Sequence, residues 1–269
     1  MKQILLLTVA SLASIVLAAC GGGDGPVNAT PTFSTPSGSP VEAGINDCVG
    51  NLALLGLGNS YEVEEESVDA ATATTPEIVR RYSIKYDVLR NTVFQGSPST
   101  EIRGVYTYTQ NTPTPAFTEI FVYRGIEGSD ILLFGNTAKT VGEGILINSL
   151  TVAKPFGRIP INWKPGQTIT TKYVASSTGL AGVPIPSELS ELNTSISTSY
   201  IGREKITVKA GTFEACKFED VSETVFSTDK VTVASTRWVV ANGSYAGLQL
   251  RSESAGKSIQ TVALRFNGS

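Results

Sequence analysis

The chain has 269 residues, a formal net charge of −3 and not one histidine. The lack of imidazole excludes Ser-His-Asp and Cys-His catalysis, His-ligated zinc or haem, and the usual neutral-pH switch. Charged residues make up 17%, against roughly 25% in an ordinary globular domain. A hydroxyl-rich surface is therefore expected, and no basic block invites nucleic acid, Arg80-Arg81 being the nearest thing to one.

Met1 and Lys2 precede an uncharged run over 4–19 that ends Leu17-Ala18-Ala19-Cys20. A positive start, an apolar core too short to span a bilayer comfortably and small residues before a cut describe a secretory signal over 1–19. The L-A-A-C ending resembles the lipobox of bacterial lipoproteins. That resemblance implies a diacylglycerol on the Cys20 thiol, cleavage before it, and acylation of the new amine, with palmitate as a natural label. Gly21 rather than Asp follows the cysteine, which in that family favours the outer membrane, with the domain facing the periplasm or the exterior. Over 20–44 the chain is chiefly Gly, Pro, Ser and Thr, as in G-G-G-D-G-P and T-P-T-F-S-T-P-S-G-S-P. Such a segment reads as a disordered tether with a reach on the order of 25 Å.

The β-rich domain is expected over 45–269. Setting Cys20 aside leaves Cys48 and Cys216. In an exported chain an even pair points to a disulfide, with two separate buried thiols as the alternative. The apolar run over 52–57 is broken by Gly56 and gives little support to a helix. Glu62, Glu64, Glu65, Glu66 and Asp69 form an acidic cluster without the glycine-turned spacing of a calcium loop. A solvated edge strand, charged against edge-to-edge pairing, accounts for it.

Beyond Tyr61 the pattern is period-two alternation, interrupted by Gly, Pro, Asn and Asp. Tyr82, Ile84, Tyr86 and Val88 alternate with Arg81, Ser83, Lys85 and Asp87; Tyr106 and Tyr108 alternate with threonines; after N-T-P-T-P, Phe117, Phe121 and Tyr123 continue on the next strand. Further strands are expected over 131–134, 145–152, 168–175, 195–208, 213–226, 230–240, 247–254 and 258–266. Helical support is confined to a turn or two over 187–192. With about a dozen strands and no amphipathic helices between them, the fold class is antiparallel all-β, a sandwich or a strongly curved open barrel.

Two stretches are alike. Leu57-Gly58-Asn59-Ser60-Tyr61 and Pro165-Gly166-Gln167-Thr168-Ile169 each place a glycine, an amide, a hydroxyl and an apolar residue at the mouth of a strand. They fit either two halves of similar architecture or chance in a Gly- and Thr-rich chain. Later, Val208-Lys209-Ala210-Gly211-Thr212-Phe213 reads as strand, tight turn, strand. This hairpin, with Trp238 and the turn over 242–247, is similar to bacterial periplasmic and lipoprotein β-domains of unknown function. The likeness covers roughly the last half of the chain and implies a fold and a compartment, not an activity.

Ser227-Thr228-Asp229-Lys230 and Ser254-Ala255-Gly256-Lys257 match S-x-x-K, but both fall at turns and lack the companion motifs of penicillin-recognising enzymes. No catalytic residue, metal ligand or cofactor site is expected. Tyr82, Tyr86, Tyr106, Tyr108, Trp163 and Trp238 are the candidates for lining a groove for an apolar ligand or a sugar, against the competing reading of ordinary cross-strand packing. The expected role is binding of an apolar small molecule or an envelope protein by a membrane-anchored domain. A closed cavity would favour the first and an exposed apolar patch the second. A structural component without a pocket is the alternative, and a carboxylate-based hydrolase would need two converging carboxylates.

Overall fold

The computed structural model describes Cys48 and residues 56–267, apart from 73–75, 111–116, 129, 143–144, 161–162, 181–190, 227–228 and 244. The signal, Cys20 and the tether lie outside the described residues. Twelve strands follow one another: β1 (Ser60–Asp69), β2 (Ile78–Phe94), β3 (Ser97–Gln110), β4 (Phe117–Glu127), β5 (Asp130–Gly142), β6 (Ile145–Pro160), β7 (Thr168–Leu180), β8 (Glu191–Val208), β9 (Gly211–Phe226), β10 (Asp229–Val240), β11 (Gln249–Ser254) and β12 (Lys257–Asn267). Each pairs antiparallel with the next, and β12 returns to β1 to close a barrel.

Of the two architectures the alternation allows, the curved one is adopted and carried to full closure. Glu191 and Leu192, expected in a helical turn, begin β8 instead, and 187–190 lie outside the described residues. The acidic cluster is not on an edge: β1 is hydrogen-bonded to β2 on one side and to β12 on the other, from Ser60↔Asn267 to Asp69↔Lys257. Closure leaves no edge to protect. Glu65 and Glu66 are accordingly buried rather than solvated.

The matched turns do the same structural work. Gly58 and Gly166 sit at φ +87° and +86°. The Gly58 amide donates to the Val88 carbonyl at 3.0 Å and the Gly166 amide to the Tyr200 carbonyl at 2.7 Å. Val88 and Tyr200 donate back to Asn59 and Gln167 at 2.9 and 3.0 Å. Immediately beyond each clip the neighbouring strand carries a bulge, at Leu89 in β2 and Ile201 in β8. The strand–turn–bulge unit is thus repeated at β1–β2 and β7–β8.

We term the base the end where the odd-numbered strands begin, and the mouth the opposite end. At the base, Cys48 forms a disulfide with Cys216 of β9, Cα–Cα 5.6 Å, and the Tyr200 hydroxyl lies 3.2 Å from the Cys48 sulfur. The β8–β9 hairpin carrying the V-K-A-G-T-F motif folds back over the outer face. Its Ala210 amide donates to the Thr261 carbonyl at 3.2 Å, Lys209 pairs with Glu66, and Glu204 receives the Trp238 indole N–H. That hairpin is what buries Glu66, which Arg81 and Gln260 also contact.

Register and alternation place Tyr61, Val63, Ile84, Val88, Ile102, Ile120 and Val122 in the interior toward the base, all buried. The same interior faces carry Thr118, Thr140, Ser149, Thr194, Ser222, Thr224, Ser235 and Ser252 toward the mouth. There Thr118 bonds Thr140 at 3.3 Å and Thr194 bonds Thr224 at 3.0 Å. The outer wall carries ion pairs and hydroxyl pairs, Arg103–Glu119 at 2.6 Å, Arg265–Glu64 at 2.6 Å, Lys230–Glu223 at 2.7 Å, Thr168–Ser199 at 2.7 Å and Thr170–Ser197 at 2.8 Å, beside a separate aromatic cluster of Phe94, Tyr123 and Phe134. A lipid-embedded barrel favours the opposite polarity, since an Arg or Lys at the bilayer midplane of a lipid-facing wall costs about 2–4 kcal/mol.

Candidate functional site

The four tyrosines singled out in the sequence come together in the interior. Tyr82 faces Tyr108 directly across the β2–β3 ladder, and Tyr106 is level with Ile84. Ring centroids are 5.6 Å apart for Tyr82–Tyr108 and 6.1 Å for Tyr82–Tyr106, while Tyr86 stacks on Tyr61 at 4.7 Å.

The two tryptophans do not join them. Trp163 plugs the base, 5.3 Å from the Phe218 ring, its indole N–H donating to the Gln167 carbonyl at 3.2 Å. Trp238 sits under the folded-back hairpin on the outer face, with Lys217 and Arg251 at 5.6 and 5.4 Å from its ring. A small cavity by Trp163, bordered by Leu133, Ile159, Ile169, Tyr173 and Ile196, holds about 10 Å³. That is room for a single water at most. Within the barrel the tyrosines pack against one another. A wider, open concavity of about 330 Å³ lies on β9–β11, bordered by Glu219, Val221, Ala234, Thr236 and Glu253.

Two polar features face the interior: Glu65, which the sequence reading set in a solvated acidic cluster, and Arg237 with Asp220, which it did not single out. Glu65, facing Tyr82 on β2 and Thr261 on β12, is 6% exposed and is bonded by the Tyr82 hydroxyl. Burial pushes its carboxyl up from 4.5 to about 7, against the opposing pull of the Tyr82 hydrogen bond and the Lys257 charge. The signal was present: Tyr61, Val63 and Glu65 share one face of a strand. On the far side Arg237 pairs with Asp220 at 2.6 Å and lies 4.5 Å from the Phe218 ring, and the Thr198 hydroxyl donates to Asp220 at 2.5 Å.

Glu65 makes stability depend on pH. Between 4.5 and about 7 the folded chain holds a proton that the unfolded chain has released, so stability falls as pH rises through that window, by about 3 kcal/mol in all. Glu66 acts in a lower window: the Lys209 hydrogen bond holds its carboxyl below the usual range, so its contribution is lost as pH falls. Replacing Glu65→Gln is expected to flatten the upper window and raise stability at about pH 8. Denaturant midpoints at about pH 5 and pH 8 check this; an unchanged pH slope in the variant would remove Glu65 as the cause.

The arrangement is that of a closed, up-and-down antiparallel barrel. Among the described residues no group of three or more Cys, Asp and Glu is placed to hold a metal ion. Among solved structures, the chain is similar to a candidate exported protein of Bacteroides fragilis with a YmcC-like fold: 10% identity, 76% of this chain and 95% of that one covered, TM-score 0.43. It is also similar to a candidate lipoprotein of Parabacteroides distasonis, at 14% identity, 78% and 95% covered, TM-score 0.41. No family model and no curated protein matches the chain.

Proposed function

We propose that this is a lipid-anchored protein of the bacterial outer membrane, held through Cys20, whose barrel acts by contact between its outer surfaces and another envelope component. The observation that carries the reading is the packing of the inward-facing tyrosines on one another, Tyr82 against Tyr106 and Tyr108 and Tyr86 on Tyr61, while the cavity by Trp163 holds about 10 Å³. Drug-sized ligands occupy pockets of about 300–1,000 Å³, so an enclosed apolar small molecule is the weaker of the two binding readings. The proposed role is binding rather than catalysis: the buried carboxyl of the tyrosine cluster, Glu65, is engaged by the Tyr82 hydroxyl.

Two measurements test this. The Cys20 thiol is expected to be the acylation site, so metabolic palmitate labelling is expected to disappear in Cys20→Ser and processing to be blocked by globomycin. A Cys20→Ser chain that stays membrane-bound would overturn the anchor. Native mass spectrometry of the purified protein is expected to show the chain with its own acyl groups alone. A stoichiometric co-purifying lipid would restore the enclosed-ligand reading.

A further inference from the structure

Eight large apolar side chains stand exposed among the described residues, and six of them lie at the base or level with it. Leu57 precedes the Gly58 clip, Leu89 follows Val88 on the other side of that clip, and Val93 is at the β2–β3 turn. Ile126 is next to the end of β4, Phe156 nears the end of β6, and Ile201 follows Tyr200 at the second clip. Their exposures run from 40% for Phe156 to 67% for Val93. The remaining two, Val221 and Val225, are on β9 toward the mouth.

These six are spread round the rim, from the lead into β1 through β2, β4 and β6 to β8. Over the remaining arc the folded-back β8–β9 hairpin covers the outer face. A protein partner seated on one side would be met by a one-sided patch. Side chains distributed round one end of a barrel instead meet a plane across its axis. The arginines of this rim are paired, Arg90 with Glu101 at 3.0 Å and Arg158 with Glu127 and Asp130, which leaves the apolar groups as the unsatisfied element.

The covalent path leads to the same end. Both Cys48, through its bridge to Cys216, and the start of β1 are at the base. Cys20 precedes Cys48 by 28 residues (48 − 20); such a stretch spans about 100 Å fully extended and on the order of 30 Å as a coil. We propose that the base is a membrane-contact rim, which seats the barrel end-on on the lipid surface and turns the hydroxyl-lined mouth away from it. This rests on the reading of Cys20 as a lipid anchor.

The test uses the lipidated full protein in vesicles of phosphatidylethanolamine and phosphatidylglycerol that carry a nitroxide on an upper acyl carbon. Polarity-sensitive dyes are placed singly at Val93→Cys, on the rim, and Val225→Cys, toward the mouth. Vesicle flotation reports the anchor, and quenching reports the orientation. We expect flotation of both, with quenching at Val93 at least about threefold stronger than at Val225. Adding Ile126→Ser and Phe156→Ser is expected to bring the Val93 quenching down to the Val225 level without loss of flotation. Failure to float overturns the anchor and the rim with it. Flotation with equal quenching at the two positions, or a Val93 dye shielded from water but not quenched, as a protein contact would leave it, overturns the rim alone.

Discussion

Removing the Cys48–Cys216 bridge, by reduction or as Cys48→Ala with Cys216→Ala, is expected to lower the unfolding free energy by about 5 kcal/mol. The residues are 168 apart in sequence. In the chain-entropy model, a cross-link closing a loop of that length removes about 5 kcal/mol of unfolded-state freedom. Typical domains have a total stability of about 5–15 kcal/mol, so this one constraint is a large share of it. Both cysteines are buried, at 3% and 0% exposure, against Tyr200 and the aromatic plug at the base. Truncation to alanine therefore adds a small packing loss that reduction alone does not, and the two treatments are expected to differ in that direction. Denaturant midpoints for the oxidised, reduced and double-alanine forms measure this, with a thiol count of the oxidised protein as control. An unchanged midpoint on reduction would show that the bridge does not constrain the fold.

The bridge also illustrates what could be read from the amino-acid sequence. Its pairing followed from export and an even cysteine count, because no other partner remained. The strands were legible for a similar reason: Tyr82, Ile84, Tyr86 and Val88 declare their face by period two, and that face is the interior. Closure was not legible. Whether β12 returns to β1 depends on accumulated twist and on bulges such as those at Leu89, Ile201 and Val262, which no local pattern announces. The acidic cluster was misread because an edge strand and a closed one carry the same alternation, and because the hairpin that covers Glu66 comes from far along the chain. Trp238 was misplaced because the hairpin that covers it comes from residues 203–214, far away in sequence. The inward face of the tyrosines was legible, but their use was not: aromatic residues facing inward line a cavity or fill one depending on the distance between walls, a property of the whole barrel.

Arg237→Ala is expected to destabilise the protein by about 3–5 kcal/mol, the cost of stranding a buried carboxylate without its cation. Arg237 and Asp220 have side-chain exposures of 5% and 12%, and their 2.6 Å contact bridges β10 and β9 inside the barrel. The alanine also forfeits the contact of the guanidinium with the Phe218 ring at 4.5 Å. The pair itself is a different quantity from the loss on breaking it. The Arg237 Nη2 is buried without a hydrogen-bond partner, so the desolvation of the guanidinium is incompletely offset. Arg237→Met combined with Asp220→Asn removes both charges, keeps an apolar side chain over Phe218 and leaves Thr198 an acceptor for its 2.5 Å hydrogen bond. That double variant is expected to lie within about 2 kcal/mol of the parent, well above Arg237→Ala. A double-mutant cycle in denaturant separates the terms. Should the double variant be as unstable as Arg237→Ala, the ion pair would be contributing net stability of its own. Its place between the apolar base and the hydroxylic mouth would then make it a strut rather than a charge pair tolerated in the wall.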